Sequence, residues 1–234
     1  MMAKTVGPKV WVMFLVLLSG LMFGSTALAE PESQKIEEAT TVLEQIMAIP
    51  EGAIPPSLLG NAYGIAIIPR VIKAGFIVGG RYGTGVVLVR GPGGAWSNPS
   101  FVSITGGSLG WQIGAQSTDV ILVFKNPSSI EGLMKGKFTL GADAAVAAGP
   151  VGRRVEGATD VTLQSEILSY SRSRGFFAGV SLEGSALQID AKRNANFYGK
   201  RGITALEIFH GHTSTPPAAQ ALRRTLDRHA PRPQ

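Results

Sequence analysis

From Tyr63 to about Asp190 the chain is a succession of short apolar runs, each rich in β-branched or aromatic residues and each bounded by glycine. That punctuation constrains the fold more than any other feature. Runs of this length and composition form strands, and glycine-rich joints bend or turn them. The runs are Gly64 to Ile68, Gly75 to Tyr82, Gly85 to Arg90, Phe101 to Gly114 and Asp119 to Phe124, then Leu163 to Ser173 and Gly175 to Asp190, with Gly91-Pro92-Gly93-Gly94 as an evident loop. They predict an α+β fold that is mainly antiparallel β, a barrel- or sandwich-like sheet with helices at its margins. Glycines inside strands mark bulges, bends or close backbone approach, and small residues also leave room for an acyl chain. The echo between Gly75-Phe76-Ile77-Val78-Gly79 and Gly175-Phe176-Phe177-Ala178-Gly179 fits either reading.

Helical periodicity precedes the sheet. Ile36, Ala39, Leu43, Ile46 and Met47 recur at helical spacing and predict an N-terminal helix over Ser33 to Ile49, with Ser33 as its cap. Pro50 and the Gly52 to Pro56 stretch stop it, and a shorter helix is expected over Ser57 to Ala62. Pro127 to Lys135 predicts another, capped by Asn126. After Gly202, Ile203 to Phe209 extends the domain. Pro216-Pro217 and the Arg/Pro/Ala-rich end predict a loosely held tail with a short basic helix around Ala218 to His229.

The first residues read as an address. Lys4 and Lys9 precede the apolar run Val10 to Phe23, and Ala27-Leu28-Ala29 supplies an A-x-A cleavage signal. The run is short for a permanent membrane span. The expected organisation is a signal peptide over 1–29, a domain over 30–202 and a basic, proline-containing tail over 203–234, with export to the periplasm or cell envelope. No cysteine occurs among the 234 residues, so no disulfide framework is available.

Charge is informative once divided. The formal net charge is +6, which becomes +4 without Lys4 and Lys9, and Lys200 to Gln234 alone carries +4. Glu30 to Glu51 holds six carboxylates and one lysine, which leaves +5 for Gly52 to Gly199. A basic domain and tail behind an acidic lead-in favour anionic partners, and for an exported protein a lipid headgroup rather than nucleic acid. The candidate contacts are Arg70, Lys73, Lys135, Lys137, Arg153, Arg154, Arg172 and Arg174, all at predicted strand or helix ends, with Phe76, Phe176 and Phe177 offering apolar contact.

Catalysis finds little support. Gly106-Gly107-Ser108-Leu109-Gly110 fits the G-x-S-x-G nucleophile elbow, but that motif requires strand, sharp turn and helix, and Trp111 to Phe124 reads as more strand. His210-Gly211-His212 has no carboxylate or cysteine nearby to complete a metal site. Asp119, Asp143, Glu156 and Asp160 show no calcium-loop spacing, and roles in turns or ion pairs are their default. Neither a phosphate loop nor a dinucleotide fingerprint is present, so no cofactor and no metal are expected.

Several ordered motifs then coincide: Ala62-Tyr63-Gly64-Ile65-Ala66-Ile67-Ile68-Pro69, Ala74-Gly75-Phe76-Ile77-Val78-Gly79-Gly80, Trp96-Ser97-Asn98-Pro99, Gly110-Trp111-Gln112-Ile113-Gly114-Ala115-Gln116 and Ala147-Ala148-Gly149-Pro150-Val151-Gly152-Arg153, with Ser169 to Val180 fitting as well. On these the chain resembles the SYLF domain family, from about Ile36 to Gly199. The resemblance implies a non-enzymatic lipid-binding module, whose eukaryotic members are associated with phosphoinositide membranes and some with actin filaments. In those members a basic amphipathic segment begins the domain, whereas Ser33 to Ile49 is acidic here. The combined expectation is an envelope protein that contacts anionic phospholipid headgroups through basic loop ends. The alternative is a structural or protein-interaction module, and a serine hydrolase ranks last.

Overall fold

The computed structural model describes residues 31–49, 52–136, 138–151, 164–173, 176–177 and 182–230. The expected signal peptide therefore lies outside the described residues. Helix α1 spans Glu32–Met47, two residues short of the predicted C-terminal end, and Pro31 rather than Ser33 occupies its N-cap, without a side-chain bond. Its stripe of Ile36, Ala39, Val42, Leu43 and Ile46 is buried, as helical spacing requires. Helix α2 is the short Pro56–Gly60.

Two very long strands follow, β1 (Gly64–Val89) and β2 (Ser100–Phe124). They pair antiparallel from Gly64↔Phe124 to Val87↔Ser100, with register shifts only at Ile68/Val71 and Gly75/Ile77. The glycine breaks expected to separate five runs thus lie within two continuous strands. Glycine serves there for close approach: a Cβ at Gly85 would stand 2.1 Å from the Ile67 carbonyl oxygen, and one at Gly83 2.9 Å from the Val71 side chain. The ribbon folds back until the two halves of β1 touch, and only a residue without a side chain fits the crossing.

Helix α3 (Pro127–Met134) begins where Asn126 accepts from the Ser129 amide, the cap its sequence announced. Strands β3 (Phe138–Thr139), β4 (Val146–Ala148), β5 (Ile167–Ser173), β6 (Phe176–Phe177) and β7 (Ala186–Ile189) complete the sheet. Strand β5 pairs with the C-terminal part of β2, from Asp119↔Arg172 to Phe124↔Ile167, and β7 with its N-terminal part, from Val102↔Ile189 to Thr105↔Ala186. All pairings between named strands are antiparallel except β4 with β5. The result is the α+β, mainly antiparallel, curled sheet that the punctuation predicts.

Helices α4 (Ala191–Tyr198), α5 (Ala205–Phe209) and α6 (Pro217–His229) close the chain. The sheet is covered on both faces, and alternation along β1 divides its residues accordingly. Ile65 and Ile67 join α1, Trp96, Phe101 and α6 in one core, while Ala66 and Ile68 join Val102, Leu122, Leu133 of α3 and Leu187 in the other. Burial on both sides is why the run from Gly64 to Ile68 is continuously apolar. Leu222 and Leu226 of α6 are fully buried in the first core, so the segment read as a loosely held tail is part of the packed body. Among the described residues no helix is long and apolar enough to cross a membrane.

Candidate functional site

The first bulge of β1 builds the most charged site. Pro69 has no amide hydrogen to give to the ladder, and Arg70 next to it takes φ 51°, the one positive φ outside glycine among the described residues. Its amide donates to Asp119 Oδ1 at 3.0 Å, and its guanidinium donates to the Glu38 carboxylate of α1. Glu38 also receives Lys35 Nζ at 2.8 Å, which pairs the one buried lysine among the described residues. Across the ladder Arg172 faces Asp119 Oδ2 at 3.5 Å and donates to the Gln45 side chain of α1. Arg228 of α6 reaches Glu44 of α1 at 2.9 Å. A cleft of about 360 Å³ lies here, walled by Glu37, Glu38, Thr41, Pro69, Arg70 and Asp119.

This arrangement gives the acidic lead-in a structural role. Three cations, one each from β1, β5 and α6, face polar or acidic groups of one helix, so α1 is docked by charge on one side and by its apolar stripe on the other. Such partly exposed pairs are each worth about 1 kcal/mol or less, and their joint effect is orientation more than stability.

The predicted contact residues scatter. Arg70 and Arg172 meet at Asp119. Lys73 is exposed on β1 opposite Gln116, beyond the bulge. Lys135 sits at the C-cap of α3, in a cleft with Ser128, Asp143 and Glu166, where β5 begins; Asp119 is at the other end of the β2–β5 ladder. Phe76 lies in β1, and Phe176 and Phe177 form β6. Lys137, Arg153, Arg154 and Arg174 lie outside the described residues.

Residues that the sequence did not single out are more conspicuous. Ile72 and Tyr82 are 52% and 56% exposed, both on the bend of β1 between its crossing halves. Arg90 stacks 4.2 Å from the Trp96 ring centroid and donates to the carbonyls of Leu59, Ala62, Gly94 and Ala230, so it joins α2, the β1–β2 loop and the end of α6. Alternation could have flagged Ile72 and Tyr82 as outward-facing; nothing in the sequence marks Arg90 as a hub.

Among the described residues no catalytic constellation emerges. Strand β2 runs straight through Gly106 to Gly110, so the turn and helix of a nucleophile elbow do not exist. His210 and His212 are exposed, with ring centroids 6.3 Å apart. Among the described residues no group of three or more His, Cys, Asp or Glu is placed to hold a metal ion. Burial raises the Tyr170 hydroxyl well above the ordinary range, which makes it a poor acid or base near neutrality.

Residues 105–229 match the Ysc84 family, described as "Las17-binding protein actin regulator". The chain is similar to SH3 domain-containing YSC84-like protein 1 of Homo sapiens, 40% identical over 76% of this chain and 52% of that protein. The Xenopus laevis protein of the same name is 38% identical over 84% of this chain and 61% of its own length. Protein YSC84 of Saccharomyces cerevisiae is 39% identical over 76% of this chain and 38% of its own. The chain thus spans about half the length of the curated relatives it matches.

These relatives overturn one expectation. An exported, periplasmic or cell-envelope protein defined by anionic phospholipid contact through basic loop ends does not fit a family described by actin regulation and matched by eukaryotic YSC84-like proteins. The signal-peptide and membrane-associated readings go with it. The structure supplies the physical reason that charge misled: Arg70, Arg172 and Arg228 are answered by Glu38, Asp119 and Glu44 of the same chain. The non-enzymatic reading agrees with a family described as a regulator. On the match across β2 through α6, the chain belongs to the Ysc84 family of SYLF-domain proteins.

Proposed function

We propose that the chain acts as a protein-interaction module of the actin-regulatory kind, which meets its partner through the bend of the β1–β2 ribbon. The observation that carries this reading is membership of a family described as Las17-binding and actin-regulating. Two features of the bend support its location. Ile72 and Tyr82 are two of the four large apolar residues exposed among those described, and Lys73, next to Ile72 in β1, is exposed and has no described partner. Exposed aromatic and aliphatic side chains are the kind of anchors that dominate protein interfaces.

The test is sedimentation of the full chain with filamentous actin, using wild type and the double variant Ile72→Ser, Tyr82→Ser. Wild type co-sediments, and the variant is left largely in the supernatant while its thermal unfolding is unchanged. Failure of wild type to sediment at low salt removes the actin reading. Equal sedimentation of both proteins moves the contact away from the bend.

A further inference from the structure

Helix α5 ends in a turn that brings two imidazoles together. Gly211 takes φ 77°, its amide donates to the Ile208 carbonyl at 3.2 Å, and the His212 amide donates to the Glu207 carbonyl at 3.1 Å. These paired bonds are the closure that ends a helix on a left-handed glycine, and they fix the backbone on both sides of it. His210 and His212 therefore leave a held turn, with ring centroids 6.3 Å apart and ring planes inclined at 47°. Both side chains are exposed. His210 Nδ1 stands 2.9 Å from the Leu206 carbonyl. A carbonyl only accepts, so Nδ1 carries the proton and Nε2 keeps its lone pair.

We propose that His210 and His212 chelate one divalent transition-metal ion of the zinc, nickel and copper class, with water in its remaining positions. Spacing favours it: two imidazoles on one ion, at metal–nitrogen distances of about 2.0–2.1 Å, stand with ring centroids roughly 5–6.5 Å apart. The fixed tautomer favours it as well, since a ligating histidine gives its other ring N–H to an acceptor such as a carbonyl, as His210 does to Leu206. The His212 ring, exposed beside it, turns about its own side-chain bonds to meet the same ion. Imidazole donors select the metal class, because calcium and magnesium take oxygen ligands. Glu207, a turn earlier on α5, is committed to Lys200 Nζ at 2.6 Å and to the Thr204 amide at 2.9 Å, so it does not serve as a third ligand. Two protein donors make an open, exchangeable site, in keeping with the lack of any three-donor group among the described residues.

Nickel titration of the untagged full chain, followed through the ring resonances of its three histidines, tests this. At one equivalent the paramagnetic ion should broaden His210 and His212 together and leave His229, half-buried at the end of α6, sharp. Magnesium at the same concentration should shift none of them. Broadening of all three alike, or of neither member of the pair, overturns the proposal. Calorimetry with nickel then separates chelation from contact with a single ring: His210→Ala and His212→Ala should each weaken binding roughly ten-fold or more. A variant that binds nickel as tightly as wild type overturns the proposal, as does a stoichiometry of one ion to two chains.

Discussion

Arg70 donates its backbone amide to Asp119 Oδ1 at 3.0 Å while its guanidinium leaves the sheet for Glu38, so one residue pins a bulge and docks a helix. The other oxygen of Asp119 faces Arg172 at 3.5 Å, which puts one carboxylate between two strands. Replacing it by alanine removes an acceptor from an amide and an ion from an arginine. Asp119→Ala should cost about 1–2 kcal/mol, allowing for solvent screening at this partly exposed site. Asp119→Asn, which still accepts from the amide, should cost clearly less. Urea unfolding of the three proteins decides it: an unchanged midpoint for the alanine variant would mean that the bulge holds without this carboxylate.

The crossing of β1 over itself makes a sharper forecast. At Gly85 a methyl group would meet the Ile67 carbonyl at 2.1 Å, whereas at Gly80 and Gly107 it would meet nothing within 4 Å. Gly85→Ala should therefore destabilise by about 3 kcal/mol or more, and Gly80→Ala and Gly107→Ala should each fall within about 0.5 kcal/mol of wild type. Equal tolerance at all three positions, read from thermal unfolding, would show that the strand does not fold back as described.

Leu222 distinguishes a packed helix from a loosely held tail. Its side chain is fully buried in the core shared with α1 and Trp96. Leu222→Ala should cost about 2–5 kcal/mol, against close to nothing for an exposed tail residue. Arg224, exposed on the same helix, serves as the control, because Arg224→Ala should change little.

Acid should loosen the start of α5. Glu207 receives Lys200 Nζ at 2.6 Å and the Thr204 amide at 2.9 Å, and these bonds hold its carboxyl at about 2, below the ordinary 4.5. A depressed carboxyl contributes stability in full above its ordinary value and loses it as pH falls from 4.5 toward 2. Between those limits the melting temperature of wild type should fall more steeply with acidification than that of Glu207→Gln. Parallel curves would show that the Glu207 carboxylate carries no linked proton.

How much of this was legible in the sequence depended on whether the signal was local. Asn126-Pro127 at the head of α3 and the apolar spacing of α1 are written within a few residues, and both elements formed where they were expected. The glycines of β1 and β2 were read as ends of strands because their partners lie elsewhere: Gly85 answers to Ile67, and no window around Gly85 contains that carbonyl. The segment after Pro216 looked like a tail because proline and arginine stand out in its composition, while the helix within it turns Ala219, Leu222, Thr225 and Leu226 inward. The basic residues looked available for an outside anion because the carboxylates that answer them, Glu38, Glu44 and Asp119, lie far away in the sequence. Arg90 stayed unremarked since its hub position arises only when distant segments are brought together by the fold, whereas alternation held a readable signal for Ile72 and Tyr82.

Sedimentation with actin filaments bears most directly on the protein-interaction reading. Over a series of filament concentrations at low salt, the full chain should pellet in a saturable manner, and the Ile72→Ser, Tyr82→Ser variant should require far more filament to do so. A chain that stays in the supernatant at every filament concentration would contradict the reading outright.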